Sequence, residues 1–226
     1  GMATQRFSAA QLAAVAQEPL RNVHRERCFG ARPAEHFCIF GNEDQAAPVE
    51  WFLWGDSHAD SMLPALIDLA EKHNVKLVFA GHSACIPLPD LLRTSRQGRI
   101  NTSCLHQNRT ALEFLEQNPS IKKVFLHARW AIYTDGFYGH DERGDIILHE
   151  ESEMPFETVD YARNAVLLEA SLERLVGRVL QPDRDVVLIG PTPEVRWNVL
   201  RRRTAEILFG WPVPPAPTPG EVTARQ

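Results

Sequence analysis

The sequence has 226 residues and is 44% hydrophobic, which is enough for one sizeable α/β domain with a buried core. Its formal net charge of −5 argues against a broad nucleic-acid-binding surface, so we expect no nucleic-acid partner. No apolar run approaches the roughly 20 residues of a membrane-spanning helix, and residues 1–20 lack the charged start and long apolar core of a secretory signal.

Apolar runs and helical periodicity alternate along the chain and predict a three-layer α/β/α domain around a central parallel sheet. The run at 49–55 has no polar face, which is typical of a central parallel strand. Apolar residues with helical spacing follow at 60–73, so a βαβ unit begins here. The predicted strands are 49–55, 75–80, 122–128 and 185–190. The predicted helices are 8–19, 60–73, 108–117 and 158–180, with a partly helical segment at 195–209.

Four segments show little periodicity. Residues 20–48 contain few apolar side chains, and residues 86–103 predict a loop with three arginines. Residues 133–157 predict a polar excursion that covers the site as a lid. Residues 212–226 are rich in proline and predict an extended tail. The predicted division is an N-terminal helix and disulfide-stapled extension at 1–48, an α/β domain at 49–211 and the tail at 212–226.

The four cysteines fall in two pairs, Cys28 with Cys38 and Cys85 with Cys104. Neither pair has Cys-x-x-Cys spacing and no histidine tract completes a zinc site, so we expect no metal and no cofactor. Sequential pairing as two disulfides is the simplest interpretation, and it implies an oxidising compartment. The alternative is four reduced thiols in a cytosolic protein, and four cysteines allow three connectivities.

The stretch Gly55-Asp56-Ser57-His58 joins the strand at 49–55 to the helix that follows. A serine there lies at the carboxyl end of a buried strand, where open α/β sheets bind ligands. The amino end of a helix also presents unpaired N–H groups and a positive dipole to a developing oxyanion. Ser57 is therefore a candidate nucleophile, and the alternative is a serine that only caps the helix.

The stretch Leu53-Trp-Gly-Asp-Ser-His-Ala59 resembles the first block of the SGNH (GDSL-like) hydrolases. Further similar features point to the SGNH domain fused to membrane acyltransferases that O-acetylate bacterial surface polysaccharides. They are the cysteine pair before the strand, Cys85…Cys104-Leu-His-Gln-Asn108, Val124-Phe-Leu-His-Ala-Arg-Trp130 and Val187-Leu-Ile-Gly-Pro-Thr-Pro-Glu194. The resemblance implies a flavodoxin-like fold, a periplasmic location and a parent protein anchored in the inner membrane through its acyltransferase domain. It also implies that the partner is an acetylated carbohydrate or acyl donor.

The resemblance implies serine-based acyl chemistry, in which Ser57 attacks an ester, a histidine takes its proton and an aspartate orients the histidine. Family members usually carry the last two together as Asp-x-x-His, but no aspartate here has a histidine three positions later. The nearest pair, Asp145 and His149, is four apart and lies in the polar excursion. We therefore expect the polypeptide to end before the last strand and its Asp-x-x-His, and to be weakly active or inactive.

Four histidines are alternative bases or ordinary packing residues: His58, His82, His106 and His127. His58 adjoins Ser57, but neighbouring side chains on a helix diverge by about 100°, so we expect His58 to supply only local polarity. The other three lie near the carboxyl ends of strands or in the loops that follow, where one of them could substitute as the base.

The resemblance further implies oxyanion donors after the second and third strands. Gly81 matches the glycine that follows the second strand. The third-strand block departs from the family, since it has Arg129-Trp130 and no Gly-x-Asn, which leaves Asn108 and Arg129 as candidates for the third donor. The alternative for Asn108 is helix capping, and the alternative for Arg129 is an ion pair beneath the site. Trp130 is the candidate for a contact with sugar.

The leading hypothesis is thus a domain of a carbohydrate O-acetyltransferase, or an acetylesterase that uses the same residues in the reverse direction. One alternative is a non-catalytic glycan-binding or interaction domain that keeps the fold. Another is a secreted lipase or esterase. Continuation of the parent gene into an Asp-x-x-His segment would favour the enzyme.

Overall fold

A five-stranded sheet forms the centre of the computed structural model, which describes residues 7–16, 22–95, 99–136, 146–153, 160–192, 199–213, 215, 218 and 220. The strands are β1 (Cys38–Gly41), β2 (Val49–Gly55), β3 (Lys76–Gly81), β4 (Leu91–Thr94), β5 (Lys123–His127), β6 (Ile147–Glu150) and β7 (Asp185–Ile189). The order in the sheet is β1-β3-β2-β5-β7, and β4 pairs with β6 separately. Strands β3, β2, β5 and β7 are parallel, and β1 runs antiparallel beside β3.

Helices connect the parallel strands. They are α1 (Ala9–Val15), α2 (Arg25–Cys28), α3 (Ser57–Lys72), α4 (Thr102–Gln117), α5 (Trp130–Asp135), α6 (Arg163–Val179) and α7 (Val199–Phe209), with short 3-10 helices at Ala34–His36 and Glu151–Glu153. Side chains cap α1 and α4, since Ser8 accepts from the Gln11 N–H and Asn101 accepts from the Cys104 N–H. None of the helices in the described residues is long and apolar enough to cross a membrane.

The predicted alternation of strands and helices is confirmed. The predicted strand at 49–55 coincides with β2, and the three other predicted strands match β3, β5 and β7 to within one residue at each end. Helix α4 begins six residues before the predicted 108, because Asn101 caps it. The mostly parallel sheet with flanking helices is the three-layer, flavodoxin-like arrangement that we expected.

The sheet has an apolar core on each face. Side chains of β2 alternate between the two, with Leu53 against α3 and with Phe52 and Trp54 on the opposite side with α4 and α6. All three side chains are at most 1% exposed. Because both faces of β2 are covered, its residues from Trp51 to Trp54 are apolar without interruption.

The β4–β6 pair shows that two sequence predictions were wrong. The segment 86–103 is not only a loop, and the segment 133–157 is not only an irregular excursion, because antiparallel pairing of Leu91 with Glu150 and Leu92 with His149 joins them. Leu91, Leu92 and the apolar start of β6 are buried. Residues 137–145 and 154–159, the rest of the predicted lid, lie outside the described residues.

Two compact units divide the chain. Residues 22–138 and 142–192 make up one, and residues 1–21, 139–141 and 193–226 make up the other. In the second unit Gln11 Nε2 donates to the Ile207 carbonyl at 3.0 Å, which joins α1 to α7. The first unit includes β1, and the predicted division at residues 48 and 211 stays a prediction. Most of the predicted proline-rich tail at 212–226 lies outside the described residues.

Both disulfides of the sequential interpretation are present, which confirms that prediction. Cys28 pairs with Cys38, and the bond ties α2 to the edge strand β1. Cys85 pairs with Cys104, and the bond ties the segment after β3 to the first turn of α4. The segment before β2 is therefore fixed to the sheet at the edge that β1 forms beside β3.

Candidate active site

Ser57 lies at the junction that the sequence predicts. Strand β2 ends at Gly55, Asp56 is the N-cap of α3, and Ser57 is the first residue of the helix. The Asp56 carboxylate accepts the His58 backbone N–H at 2.8 Å, so Asp56 and not Ser57 caps the helix. Ser57 is half-buried, and within the described part of the chain its hydroxyl has no hydrogen bond. The hydroxyl is thus available for chemistry.

Asp56 connects the start of α3 to the end of β5. The residue is 1% exposed, and its second carboxylate oxygen accepts the Arg129 backbone N–H at 3.0 Å and the Tyr133 hydroxyl at 3.0 Å. A buried carboxylate needs such donors to offset the loss of water. The three hydrogen bonds therefore fix Ser57 relative to the turn that carries Arg129.

Gly55 lets β2 and β5 approach closely just before the serine. A Cβ at this position would lie 1.7 Å from the His127 carbonyl oxygen and 2.9 Å from the Ala59 Cβ. The same His127 carbonyl accepts the Asp56 backbone N–H at 3.3 Å. Only glycine fits here, because the obstructing atoms include fixed backbone.

A buried histidine ends β5 beside this junction. His127 is 2% exposed, its Nδ1 lies 3.2 Å from the Ile189 carbonyl, and its ring packs against the ring of His58 at 5.8 Å between centroids. A carbonyl oxygen only accepts, so His127 donates from Nδ1 and keeps the lone pair on Nε2. Burial lowers the pKa of His127 below its usual 6.5, and nearby His58 lowers it further, against the opposing effects of Ile189 and Asp56.

The lowered pKa of His127 predicts a loss of stability in acid. The unfolded chain takes up this proton near pH 6.5 and the folded chain only at lower pH, so the free energy of unfolding should fall as the pH drops below about 6.5. Urea unfolding at pH 7.5 and pH 5.0 measures the effect. The stability advantage of the wild type over His127→Gln should shrink at pH 5.0, and an advantage that grows would contradict the prediction.

Of the other candidate bases, His82 lies directly after β3, where its backbone N–H donates to the Gly55 carbonyl at 3.1 Å. His82 Nδ1 lies 3.0 Å from the Ser83 carbonyl, and His106 is exposed on α4. His149 is buried in β6, where its Nε2 lies 3.0 Å from the Thr94 hydroxyl, and it is therefore a packing residue of the β4–β6 pair. Asp145, its nearest sequence partner, lies outside the described residues.

Gly81 and Arg129 lie where an oxyanion donor is expected, at the ends of the two strands that flank β2. Gly81 is the last residue of β3 and pairs in register with Gly55. Arg129 follows β5, is half-buried, and is held through its backbone by Asp56. Both remain candidates.

Asn108 is a structural residue, contrary to the sequence-based suggestion that it serves as an oxyanion donor. It is 1% exposed, and its Nδ2 donates to the Ile86 carbonyl at 2.7 Å and to the Leu88 carbonyl at 3.1 Å. Its Oδ1 accepts from the Trp54 indole at 2.9 Å. Both amide hydrogens are therefore in use, and the suggested alternative of helix capping is also wrong, because Asn101 is the cap.

Trp130 is also buried, which corrects the expectation of a sugar contact. The residue is 7% exposed, and its indole N–H donates to the Ile189 carbonyl at 2.7 Å. Little of its ring is left for stacking on a sugar. The indole and His127 share this carbonyl, so Trp130 helps to hold β7 beside the turn after β5.

Sequence reasoning missed a second buried carboxylate on α3. Asp60 is 2% exposed, accepts from Asn22 Nδ2 at 2.7 Å and forms an ion pair with Arg25. These contacts tie the segment before β1 to the first turn of the helix that carries Ser57. Asp60 was visible in the sequence at the start of a predicted helix. Its partners Arg25 and Asn22 could not be predicted, because they are 35 and 38 residues away in the chain.

Comparison with known families identifies the family of the chain. A family model described as the SGNH domain fused to AT3 domains matches residues 24–226. The chain belongs to this SGNH domain family. Neither a curated protein nor a solved structure matches the sequence. Membership supports a hydrolase- or acyltransferase-like SGNH domain, and the fusion suggests an acyltransferase domain as its partner in the parent protein.

Proposed function

We propose that this SGNH domain carries an acyl group on Ser57 and exchanges it with hydroxyls of bacterial surface carbohydrate. The observation that supports the proposal is the position of Ser57, the first residue of α3, with an unengaged hydroxyl directly after the central strand β2. A serine placed in this way meets the amino end of a helix, whose N–H groups and dipole favour negative charge.

The proposed chemistry is acyl transfer in two steps. Ser57 Oγ attacks the acyl carbonyl as its proton passes to a base, and an oxyanion forms that the Gly81 N–H and Arg129 would stabilise. The oxyanion collapses, the C–O bond to the donor alcohol breaks, and the alcohol leaves with a proton. A sugar hydroxyl then attacks the acyl-serine in a transferase, and water does so in an esterase.

The base is the incomplete part of this site. No aspartate in the sequence has a histidine three positions later, and we propose that an Asp-x-x-His segment of the parent protein supplies the base. His127 is the alternative, since its Nδ1 hydrogen bond leaves the Nε2 lone pair in place. Its burial at 2% exposure argues for packing.

A serine-reactive acyl-ester analogue tests Ser57 directly. In a version of the chain extended to include Asp-x-x-His, the reagent should label Ser57, and Ser57→Ala should abolish labelling and lower p-nitrophenyl acetate hydrolysis by about 10⁴-fold or more. Ser61→Ala is the matched control, because Ser61 lies on the same helix and its hydroxyl bonds only the Ser57 carbonyl at 2.9 Å. Unchanged labelling of Ser57→Ala would refute the nucleophile.

The 226-residue chain itself is the second arm of this experiment. Without a base it should hydrolyse the ester about 10³-fold or more slowly than the extended version. Fast, Ser57-dependent hydrolysis by the 226-residue chain would refute the proposed external base. If His127→Gln then removed that activity, His127 would be assigned the role.

The proposed location is the periplasm, beside a membrane acyltransferase domain. Two disulfides favour an oxidising compartment, and the family's fusion to AT3 domains supports a parent protein of this kind. The second candidate function is a non-catalytic glycan-binding domain, favoured by the absence of Asp-x-x-His from the sequence. Sugar binding without any labelling of Ser57 in the extended version would select it.

A further inference from the structure

Two residues in contact with each other each carry a buried N–H donor without an acceptor among the described residues. The donors are Nε of Arg32 and Nε2 of Gln107. The two residues are in contact, because the Arg32 backbone N–H donates to Gln107 Oε1 at 2.7 Å. A buried donor without a partner is destabilising, because it has lost its hydrogen bonds to water and gained none in return. Two such donors on contacting residues therefore indicate a place for a group that supplies acceptor oxygens.

This donor pair lies at the same edge of the sheet as Ser57. Phe29 forms a bridge beside Gly81, and the Gly30 N–H donates to the Gly81 carbonyl at 2.8 Å, so the segment that leads to Arg32 runs along the end of β3. Gly81 in turn pairs in register with Gly55, two residues before Ser57. The segment that leads to Arg32 therefore borders the end of β3, which pairs with β2, the strand directly before Ser57.

The charge of Arg32 selects the kind of ligand. Arg32 forms no ion pair within the described residues, and its Nη2 donates only to the Glu26 carbonyl, at 3.4 Å. Other arginines of the domain, such as Arg25 and Arg109, pair with carboxylates. Gln107 is 2% exposed and Arg32 is half-buried, so a ligand would enter from the Arg32 side. A guanidinium without an ion pair, on a residue that contacts a buried amide donor, matches the two oxygens of a carboxylate.

We propose that Arg32 and Gln107 bind a carboxylate of the substrate. This proposal rests on the acyl transfer proposed above for Ser57. It identifies the carbohydrate as an acidic sugar, which is held by its carboxylate while a hydroxyl or acyl ester faces the serine. The same carboxylate chemistry is present in acetate, the product of ester hydrolysis, and the experiment separates the two sources.

The test follows the two donors themselves by NMR. In the ¹⁵N-labelled Ser57→Ala variant, which cannot turn over an ester, glucuronate should shift the signals of the Arg32 Nε–H and the Gln107 side-chain amide in a saturable way. Glucose, which lacks the carboxylate, should not. If acetate bound as tightly as glucuronate, the carboxylate site would be supported, but the proposal that the substrate is an acidic sugar would be overturned. No response to glucuronate or acetate, or an equal response to glucose, would overturn the site.

Variants identify the residues that bind. Arg32→Gln should weaken glucuronate binding at least tenfold, and Gln107→Glu should do the same, because it keeps the acceptor for the Arg32 N–H but adds a repelling charge. Arg27→Gln is the control, since Arg27 is exposed on the same segment, and it should bind normally. Equal losses in Arg27→Gln and Arg32→Gln would overturn the proposal. Loss of Ser57 labelling with intact glucuronate binding would refute the proposed function alone.

Discussion

Replacing Asp56 with alanine is expected to destabilise the domain by about 4 kcal/mol or more. The buried carboxylate accepts the His58 N–H, the Arg129 N–H and the Tyr133 hydroxyl, and hydrogen bonds to charged groups contribute about 1.5–3 kcal/mol each. Loss of an N-cap costs about 1 kcal/mol, and the fully buried Tyr133 hydroxyl loses this acceptor. The midpoint of urea unfolding measures the change.

Two further variants separate the parts of this effect. Asp56→Asn keeps an oxygen that accepts the His58 N–H, but its amide nitrogen cannot accept from Arg129 or Tyr133, so its cost should be intermediate. Tyr133→Phe removes the hydrogen bond to Asp56 and should cost about 0.5–3 kcal/mol. An alanine variant that loses less than about 1 kcal/mol would show that the three hydrogen bonds do not stabilise the fold.

The same variants report on the site. Asp56 holds both the first turn of α3, which contains Ser57, and the turn that contains Arg129. Reaction of Ser57 with the ester analogue in the extended version should therefore be slower in Asp56→Asn even at temperatures where the variant remains folded. A catalytic group must stay within about 0.5 Å of its productive position, and a loosened cap does not hold Ser57 that precisely.

The parallel strands could be predicted because each is a short apolar run between helical patterns. The burial of both faces leaves a short continuous apolar run, as at 51–54 in β2, where Leu53 packs on one face and Trp54 on the other. The start of α3 was also visible, since Gly55-Asp56 ends the strand and supplies the cap. These are local signals, within a few residues of the feature that they determine.

The strands β1, β4 and β6 could not be predicted because their signal is not local. Each has only four residues, and each is stabilised by pairing with a segment far away in the chain, as in Leu91 with Glu150. Isolated short runs carry little periodicity. The cysteines did indicate that the segment before β2 is ordered, but not that Cys38 begins a strand of the sheet.

Within the site, residue types were easier to anticipate than their surroundings. Ser57 lies where the strand-to-helix pattern predicts it, whereas Asn108 and Trp130 are buried and already hydrogen-bonded. Burial and partners are tertiary properties: the carbonyl that accepts from Trp130 belongs to Ile189, 59 residues later. For the same reason, the hydrogen bond between Asp56 and Tyr133 had no signal in the sequence.

Gly55→Ala should have a large effect because of a single methyl group. The new Cβ would lie 1.7 Å from the His127 carbonyl oxygen, and a backbone atom inside a parallel sheet cannot move aside without breaking the β2–β5 pairing. Overpacking of buried sites usually costs about 1–3 kcal/mol, and this obstruction by backbone should exceed that range. Urea unfolding should show a loss of more than about 3 kcal/mol, or no folded protein.

Gly177→Ala is the matched control, because the same substitution at that position should change the stability in the opposite direction. Gly177 lies inside α6, it is exposed, and a Cβ at this position would meet no atom within 4 Å. Alanine favours the helix over glycine by about 0.5–1 kcal/mol, so this variant should be more stable than the wild type. Equal effects of the two substitutions would mean that the close approach of β2 and β5 does not determine the residue before Asp56. Opposite signs would show that glycine is required where the chain turns from the central strand into the helix of Ser57.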